Sequence, residues 1–359
     1  MKFLLIVRLF VLIHCLFFLC SIKTAAQFAF KKNLFESDEV LSVTLKGNIH
    51  TLLNDRSDDA KSYPLILSYN SNDSDKIVIP VQLKTRGHFR KLEGNCTYPP
   101  LLIQFLKDGP QINTVFKEQH KLKLVMPCRG EEYLLREWLV YKLYNLVTPK
   151  SFNAQLVKIT LDDTKSKKKS APFYGIFLEE EKQMAKRNKM MAVERKLVPE
   201  QTQGLSFITM SVFEYLIGNT DWSVQYLQNI KLLAADSLAV PFTVPYDFDH
   251  AGIVNAPYAL PAEELLMNSV RERRYRGYCI KDMKVFDPVI AYFNQLKDDI
   301  YRLYTGCALL DGKYIKTTIQ YLDAFYKTIN DTKVWQKDFG YPCDKNGTGN
   351  IVIKGLKSD

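Results

Sequence analysis

The apolar pattern changes period once in this chain, near residue 131, and that change limits the fold more than any single motif. Before it, short apolar runs cover residues 63–69, 76–84, 100–107 and 120–126, separated by Asn, Asp, Gly and Pro clusters. Such punctuation marks strands. From residue 131 to 147, Leu135, Trp138, Leu139, Leu143 and Leu146 recur at three- and four-residue steps, so the spacing predicts a helix with one apolar face. Glu131 and Glu132 suit its positive end and Pro149 helps stop it. Strands are expected again over 154–161 and 172–179, around a polar lysine-bearing loop at 162–170. Residues 184–203 read as helix then loop. A helix over 207–218 ends at Gly218, and short strands follow at 229–233 and 241–245. From 261 to 335 the pattern is mainly helical, with 287–304 and 311–329 the clearest stretches. The fold class expected is α+β with two lobes: residues 27–204 β-rich with one embedded helix, and 205–340 mainly helical. Residues 341–359 read as a loose tail.

Residues 1–26 have the form of a secretory signal: Lys2, an apolar stretch to Cys20, then small residues before Gln27. Cleavage there would remove three basic residues and no acid, leaving 46 basic against 39 acidic residues, or +7. Five of seven cysteines would remain, and an oxidising compartment favours pairing them. Lobe membership pairs Cys96 with Cys128 and Cys279 with Cys307. No later apolar run reaches membrane-spanning length, so no transmembrane segment is expected after cleavage. The chain is expected to be secreted, periplasmic or on the cell envelope. Sequons occur at Asn72, Asn95, Asn330 and Asn346.

Chemistry-bearing residues gather in the second half. Gly218-Asn219-Thr220-Asp221-Trp222 follows a helix end, Asn229 opens a strand, and Tyr246-Asp247-Phe248-Asp249 closes one. Magnesium takes hard oxygen ligands, and one or two carboxylates plus an amide leave room for phosphates and water. A further aspartate can orient an attacking hydroxyl and accept its proton. Turn and cap roles would use the same residue types. Asp221 is therefore the candidate catalytic residue, and Asn229, Asp247 and Asp249 are candidate metal ligands.

In the first half, Lys123 lies on a strand and Glu137 on the following helix, a pairing that can aim an ammonium at nucleotide phosphates. Lys121 and Lys123 share a strand face, so the pattern does not separate them. Residues 84–90, with Arg86 and Gly87, come nearest to a phosphate loop, and no glycine-rich dinucleotide or P-loop motif occurs. Among the basic runs, 165–169 reads as a solvated loop, which gives no reason to expect nucleic acid. Residues 271–276 are the better candidate for touching phosphate or substrate. His250, beside Asp249, reads as a structural histidine.

These residues, in this order, resemble the CotH kinase-like family of spore-coat-type atypical protein kinases. The resemblance runs from about Lys84 to Gly252. It is carried by Arg86-Gly87, Pro99-Pro100-Leu101, Leu122-Lys123-Leu124-Val125, Arg136-Glu137 and Tyr174-Gly175-Ile176-Phe177, and above all by the Asp221, Asn229 and Tyr246-to-Asp249 elements. It implies a two-lobed atypical protein-kinase-like fold. It also implies transfer of the ATP γ-phosphate to Ser or Thr of a secreted or surface protein, with magnesium or manganese as cofactor and an acidic or Ser/Thr-rich substrate. By the match, Asp221 resembles the catalytic-loop aspartate, Asn229 and Asp247 the metal ligands, Lys123 the ATP lysine and Glu137 its partner. Tyr246 stands where the family has tryptophan. Two other classes stay open: a kinase-related binding or structural protein without turnover, and a metal-dependent phosphohydrolase built on Asp221, Asp247 and Asp249.

Overall fold

Alternating side chains in the first half close a sheet onto itself. A computed structural model describes residues 33–71 and 75–343. The expected signal at 1–26, the tail beyond 343 and the sequons at Asn72 and Asn346 lie outside the described residues. The elements run β1 (Leu41–Gly47), α1 (Ile49–Asn54), β2 (Tyr63–Asn70), β3 (Lys76–Thr85), β4 (Leu101–Phe105), β5 (Lys121–Val125), α2 (Glu131–Val147), β6 (Ala154–Asp163), β7 (Lys168–Lys169) and β8 (Phe173–Leu178). There follow α3 (Glu181–Arg187), β9 (Met191–Val193), α4 (Gly204–Ile217), β10 (Ile230–Ala234), β11 (Phe242–Pro245), α5 (Asp287–Gln295), α6 (Lys297–Thr305), α7 (Gly312–Ile329) and α8 (Thr332–Phe339).

Strands β1 to β5 form an antiparallel meander, β8 joins β5, and β6 joins β8. Strand β6 then pairs in parallel with β1, from Leu41 opposite Val157 to Gly47 opposite Asp163. That last pairing closes a seven-stranded mixed barrel, with β7 as a short flap on β6. Closure removes the sheet edges. Leu45, Leu67, Ile79, Leu83, Ile103, Leu122 and Leu124 fill the interior and are fully buried.

The two-lobed kinase-like fold expected from the sequence is therefore corrected: the β-rich half is a closed barrel, and a helical region packs against it. The reason lies in β1. Only Val43 and Leu45 in that strand are buried, too short an alternation to announce a strand, yet β1 is what closes the barrel.

Helix α2 joins the two regions. Its expected single apolar face is broader than the spacing suggested, because Leu134, Leu135, Glu137, Leu139, Val140, Tyr141, Leu143, Tyr144 and Val147 are all buried. It packs on the outer face of β6 and β8 and shares one core with the C-terminal helices. Stretch 287–304 is two helices, α5 and α6, not one. Residues 191–193 form a strand in a small sheet ordered β11-β10-β9.

Cys96 and Cys128 are bonded as expected. Among the described residues the second disulfide is Cys279–Cys343, and Cys307 is left without a disulfide partner. Tyr341 donates its hydroxyl to the Tyr275 carbonyl at 2.8 Å, drawing residues 341–343 back beside Cys279. The expected loose tail is thus anchored as far as Cys343. Among the described residues, no helix is long and apolar enough to cross a membrane.

Candidate active site

Helix α4 stops where the sequence places its end, at Gly218, whose φ of +69° is left-handed. A side chain there would meet the Tyr321 hydroxyl, so glycine is required twice over. The next turn is tied down on every side. The Asn219 side chain accepts the Asp221 amide at 3.1 Å, and the Gly252 amide donates to the Gly218 carbonyl at 3.0 Å. Arg276, buried, donates to the carbonyls of Thr220 and Trp222, the two neighbours of Asp221.

Eight residues separate Asp221 from Asn229, and a small hairpin accommodates them. Ser223 and Gln228 bridge, exchanging backbone bonds of 2.9 and 3.0 Å. Asn229 returns beside Asp221, donating its amide to the Asp221 carboxylate at 3.0 Å and to its carbonyl at 2.7 Å. Gln228 donates to the other carboxylate oxygen. Across the β10–β11 ladder the Tyr246 amide donates to the Asn229 carbonyl at 3.0 Å, which sets Asp247 next to this pair. Asn229 and Asp247 both hold left-handed backbones, at φ +51° and +64°. Non-glycine residues held there cluster at functional sites.

One helical turn on α2 serves the same place. The Tyr141 hydroxyl accepts the Asp247 amide at 2.9 Å. Glu137, four residues earlier, bonds Arg90 at 2.7 Å. No ion pair joins Glu137 to Lys123 among the described residues; the helix glutamate belongs to Arg90 instead. Arg90 also bonds Asp249 at 2.9 Å and lies 3.9 Å from Asp247. Asp249, expected as a metal ligand, is thus engaged by an arginine. Sequence reasoning missed Arg90, although it lies within the 84–90 segment; an arginine that will be buried carries no local signature.

Charges interact strongly here. Burial raises the Asp247 carboxyl above the usual range, and repulsion from Asp249 adds to it. Burial raises Asp221 as well, against the pull of His250. Burial works on Asp249 in the same direction, but Arg90 and His250 outweigh it and the group ends lower than usual. Asp247 still presents 48% of its side chain to solvent, so it is recessed yet open. His250 is buried between Phe89 and Tyr258 and fills a structural place.

Lys121 and Lys123 point out of the barrel, opposite Leu122 and Leu124. Both line a cavity of about 450 Å³ together with Glu180, Glu181, Ala192 and Lys231. Lys123 is the one beside the element at residues 246–249: its ammonium sits 5.0 Å from the Tyr246 ring centre and 5.7 Å from that of Phe152. Burial, then repulsion from Arg86 and Lys231, lowers it to about 8. Arg86 is therefore part of the same basic cluster. Lys231 pairs with Glu181 at 2.9 Å. Asp221, Asn229 and Asp247 do not line the cavity; Lys123, and Lys231 two residues beyond Asn229, link it to them.

The run 271–276, expected at phosphate or substrate, is structural. Arg271 donates to the Gly252 carbonyl at 2.9 Å, and Arg273 to the carbonyls of Leu216 and Tyr321 at 3.1 and 2.6 Å. With Arg276 they lock the loops that carry Asp221 and Asp249.

Among the described residues, no three His, Cys, Asp or Glu side chains form a metal-holding group. What remains once Arg90 takes Asp249 is two carboxylates and an amide, Asp221, Asp247 and Asn229. That donor set suits a hard divalent cation that keeps several waters, and the open, partner-poor Asp247 carboxylate is its most available member. No family model and no curated protein matches this chain.

Proposed function

We propose that the chain is an exported phosphotransferase that moves the γ-phosphate of ATP to Ser or Thr of a secreted or surface protein, with a divalent cation. Its motifs resemble those of the CotH kinase-like family. The observation that carries the reading is convergence: Asp221 touches Asn229 at 3.0 Å, and Asn229 bonds the residue before Asp247 at 3.0 Å. Three residues spread over 27 positions meet beside a basic cluster and a nucleotide-sized cavity. The two disulfides suit an oxidising compartment.

Each side chain then has a task. Asp221 orients the attacking hydroxyl and takes its proton. Its partners Gln228 and Asn229 fix the carboxylate in place before substrate arrives. Asp247 and Asn229 hold the cation, which when bound neutralises charge on the transferring phosphates. Lys123 and Arg86 meet phosphate oxygens, and Tyr246 and Phe152 wall the Lys123 ammonium away from bulk water.

The test is transfer of label from the γ-phosphate to a Ser/Thr-rich acidic protein. Asp221→Asn is expected to lower transfer by about 10²- to 10⁴-fold while nucleotide still binds. Asp247→Asn is expected to abolish the thermal shift that ATP and magnesium produce together. Binding without transfer in the wild type would make the chain a binding protein. Phosphate release from simple esters without ATP would make it a hydrolase.

A further inference from the structure

We propose that Arg90 is the built-in counter-cation of this site, fixing Asp249 and Glu137 so that Asp247, with Asn229, holds a single divalent cation. The inference rests on the phosphotransfer reading above and names its metal stoichiometry.

Arg90 is a positioning residue by geometry. It lies in the short turn Phe89–Lys91 and is only 8% exposed. Two nitrogens of its guanidinium address two acids: Nε donates to Asp249 at 2.9 Å and Nη2 to Glu137 at 2.7 Å. Asp247 stands further off, at 3.9 Å, and is the exposed member of the three. A guanidinium keeps its charge at every working pH and donates in a fixed fork. Its single charge stays with the fold, whereas a bound metal can leave. The turn that carries it is anchored from outside the site. Asn95 donates to the Phe89 carbonyl at 2.9 Å and Lys91 to the Ser57 carbonyl at 2.6 Å, and Cys96, next to Asn95, is bonded to Cys128. The place a second metal would need, between Asp249, Glu137 and Asp247, is already filled by protein.

Manganese binding to the full chain, read from the electron paramagnetic resonance of free Mn²⁺ with and without a non-hydrolysable ATP analogue, tests this. One Mn²⁺ per chain is expected. Asp247→Asn is expected to weaken binding by about tenfold or more, and Asp249→Asn, which keeps an oxygen for Arg90, by less than about threefold. Arg90→Met is expected to admit a second Mn²⁺, and Arg90→Lys to keep one. Circular dichroism reports folding; where Arg90→Met does not fold, the contrast between the two aspartate variants decides. Two Mn²⁺ in the wild type, a folded Arg90→Met chain that binds one, or equal losses at Asp249 and Asp247 would overturn the inference and leave the phosphotransfer reading standing. No Mn²⁺ in the wild type under either condition overturns both.

Discussion

Lys123 carries the charge facing the cavity that responds most readily to pH. Burial and the neighbouring cations Arg86 and Lys231 bring its ammonium down to about 8. The sign follows directly. Below that value the side chain is charged and attracts phosphate; above it the charge is lost and the attraction with it. Under the proposed function, nucleotide affinity is therefore expected to be level up to about pH 7 and to fall roughly tenfold between pH 8 and 9.5. Isothermal titration across that range measures it, and Lys123→Arg should remove the fall because arginine stays charged. A wild-type profile flat to pH 9.5 would exclude Lys123 from phosphate contact. At this scale the sequence was a partial guide. Asp221, Asn229 and Asp247 stood out because each breaks a regular element with a polar residue. The partner of Glu137 did not, since a lysine on the preceding strand and an arginine 47 residues upstream are equally compatible with the pattern. Only the register of β5 against β8 and the turn at residues 89–91 separate them.

Among the elements, short constrained segments hold the site. The hairpin at Ser223–Gln228 absorbs the spacing between Asp221 and Asn229, and the turn bearing Arg90 is closed by Cys96–Cys128. This disulfide spans 32 residues, so chain-entropy arithmetic assigns it about 3–4 kcal/mol. The Cys96→Ala/Cys128→Ala chain is expected to lose about that much stability in urea unfolding. Its Mn²⁺ binding should also weaken, because Arg90 loses its anchor. A loss under about 1 kcal/mol would show that the crosslink does little for the fold. Strands β2 to β6, β8 and β10, and helices α2, α4 and α7, were legible because each carries enough buried positions to show a period. Strands β1 and β9 were not, with two fully buried residues in the first and none in the second. The second disulfide was misassigned because lobe membership favoured Cys307 and left Cys343 in a segment read as loose, whereas Tyr341 brings Cys343 back across the helices.

For the molecule as a whole, the decisive fact is that α2 belongs to both regions. Leu156, Ile176 and Leu178 on the outer face of the barrel share a core with Val140 and Leu143 of α2 and with Phe293, Leu322 and Phe325 of the C-terminal helices. Separate lobes would each own a core and unfold separately. A shared core binds their stabilities together, because exposing α2 on one side removes the packing on the other. Calorimetry is therefore expected to show one transition, with van 't Hoff and calorimetric enthalpies equal. Val140→Ala, which hollows the shared layer at a fully buried position, should move that single transition down without splitting it. Loss of the barrel's parallel closure tests the same coupling from the other end. Leu45→Ala, inside the barrel opposite Leu161 of β6, is expected to lower the same transition by about 2–5 kcal/mol of stability. Two resolved transitions, with Leu45→Ala moving one and Val140→Ala the other, would mean that barrel and helices fold apart. The loops of the candidate site, which draw Arg90 from one region and Asp221 from the other, would then have no common frame to hold them in register.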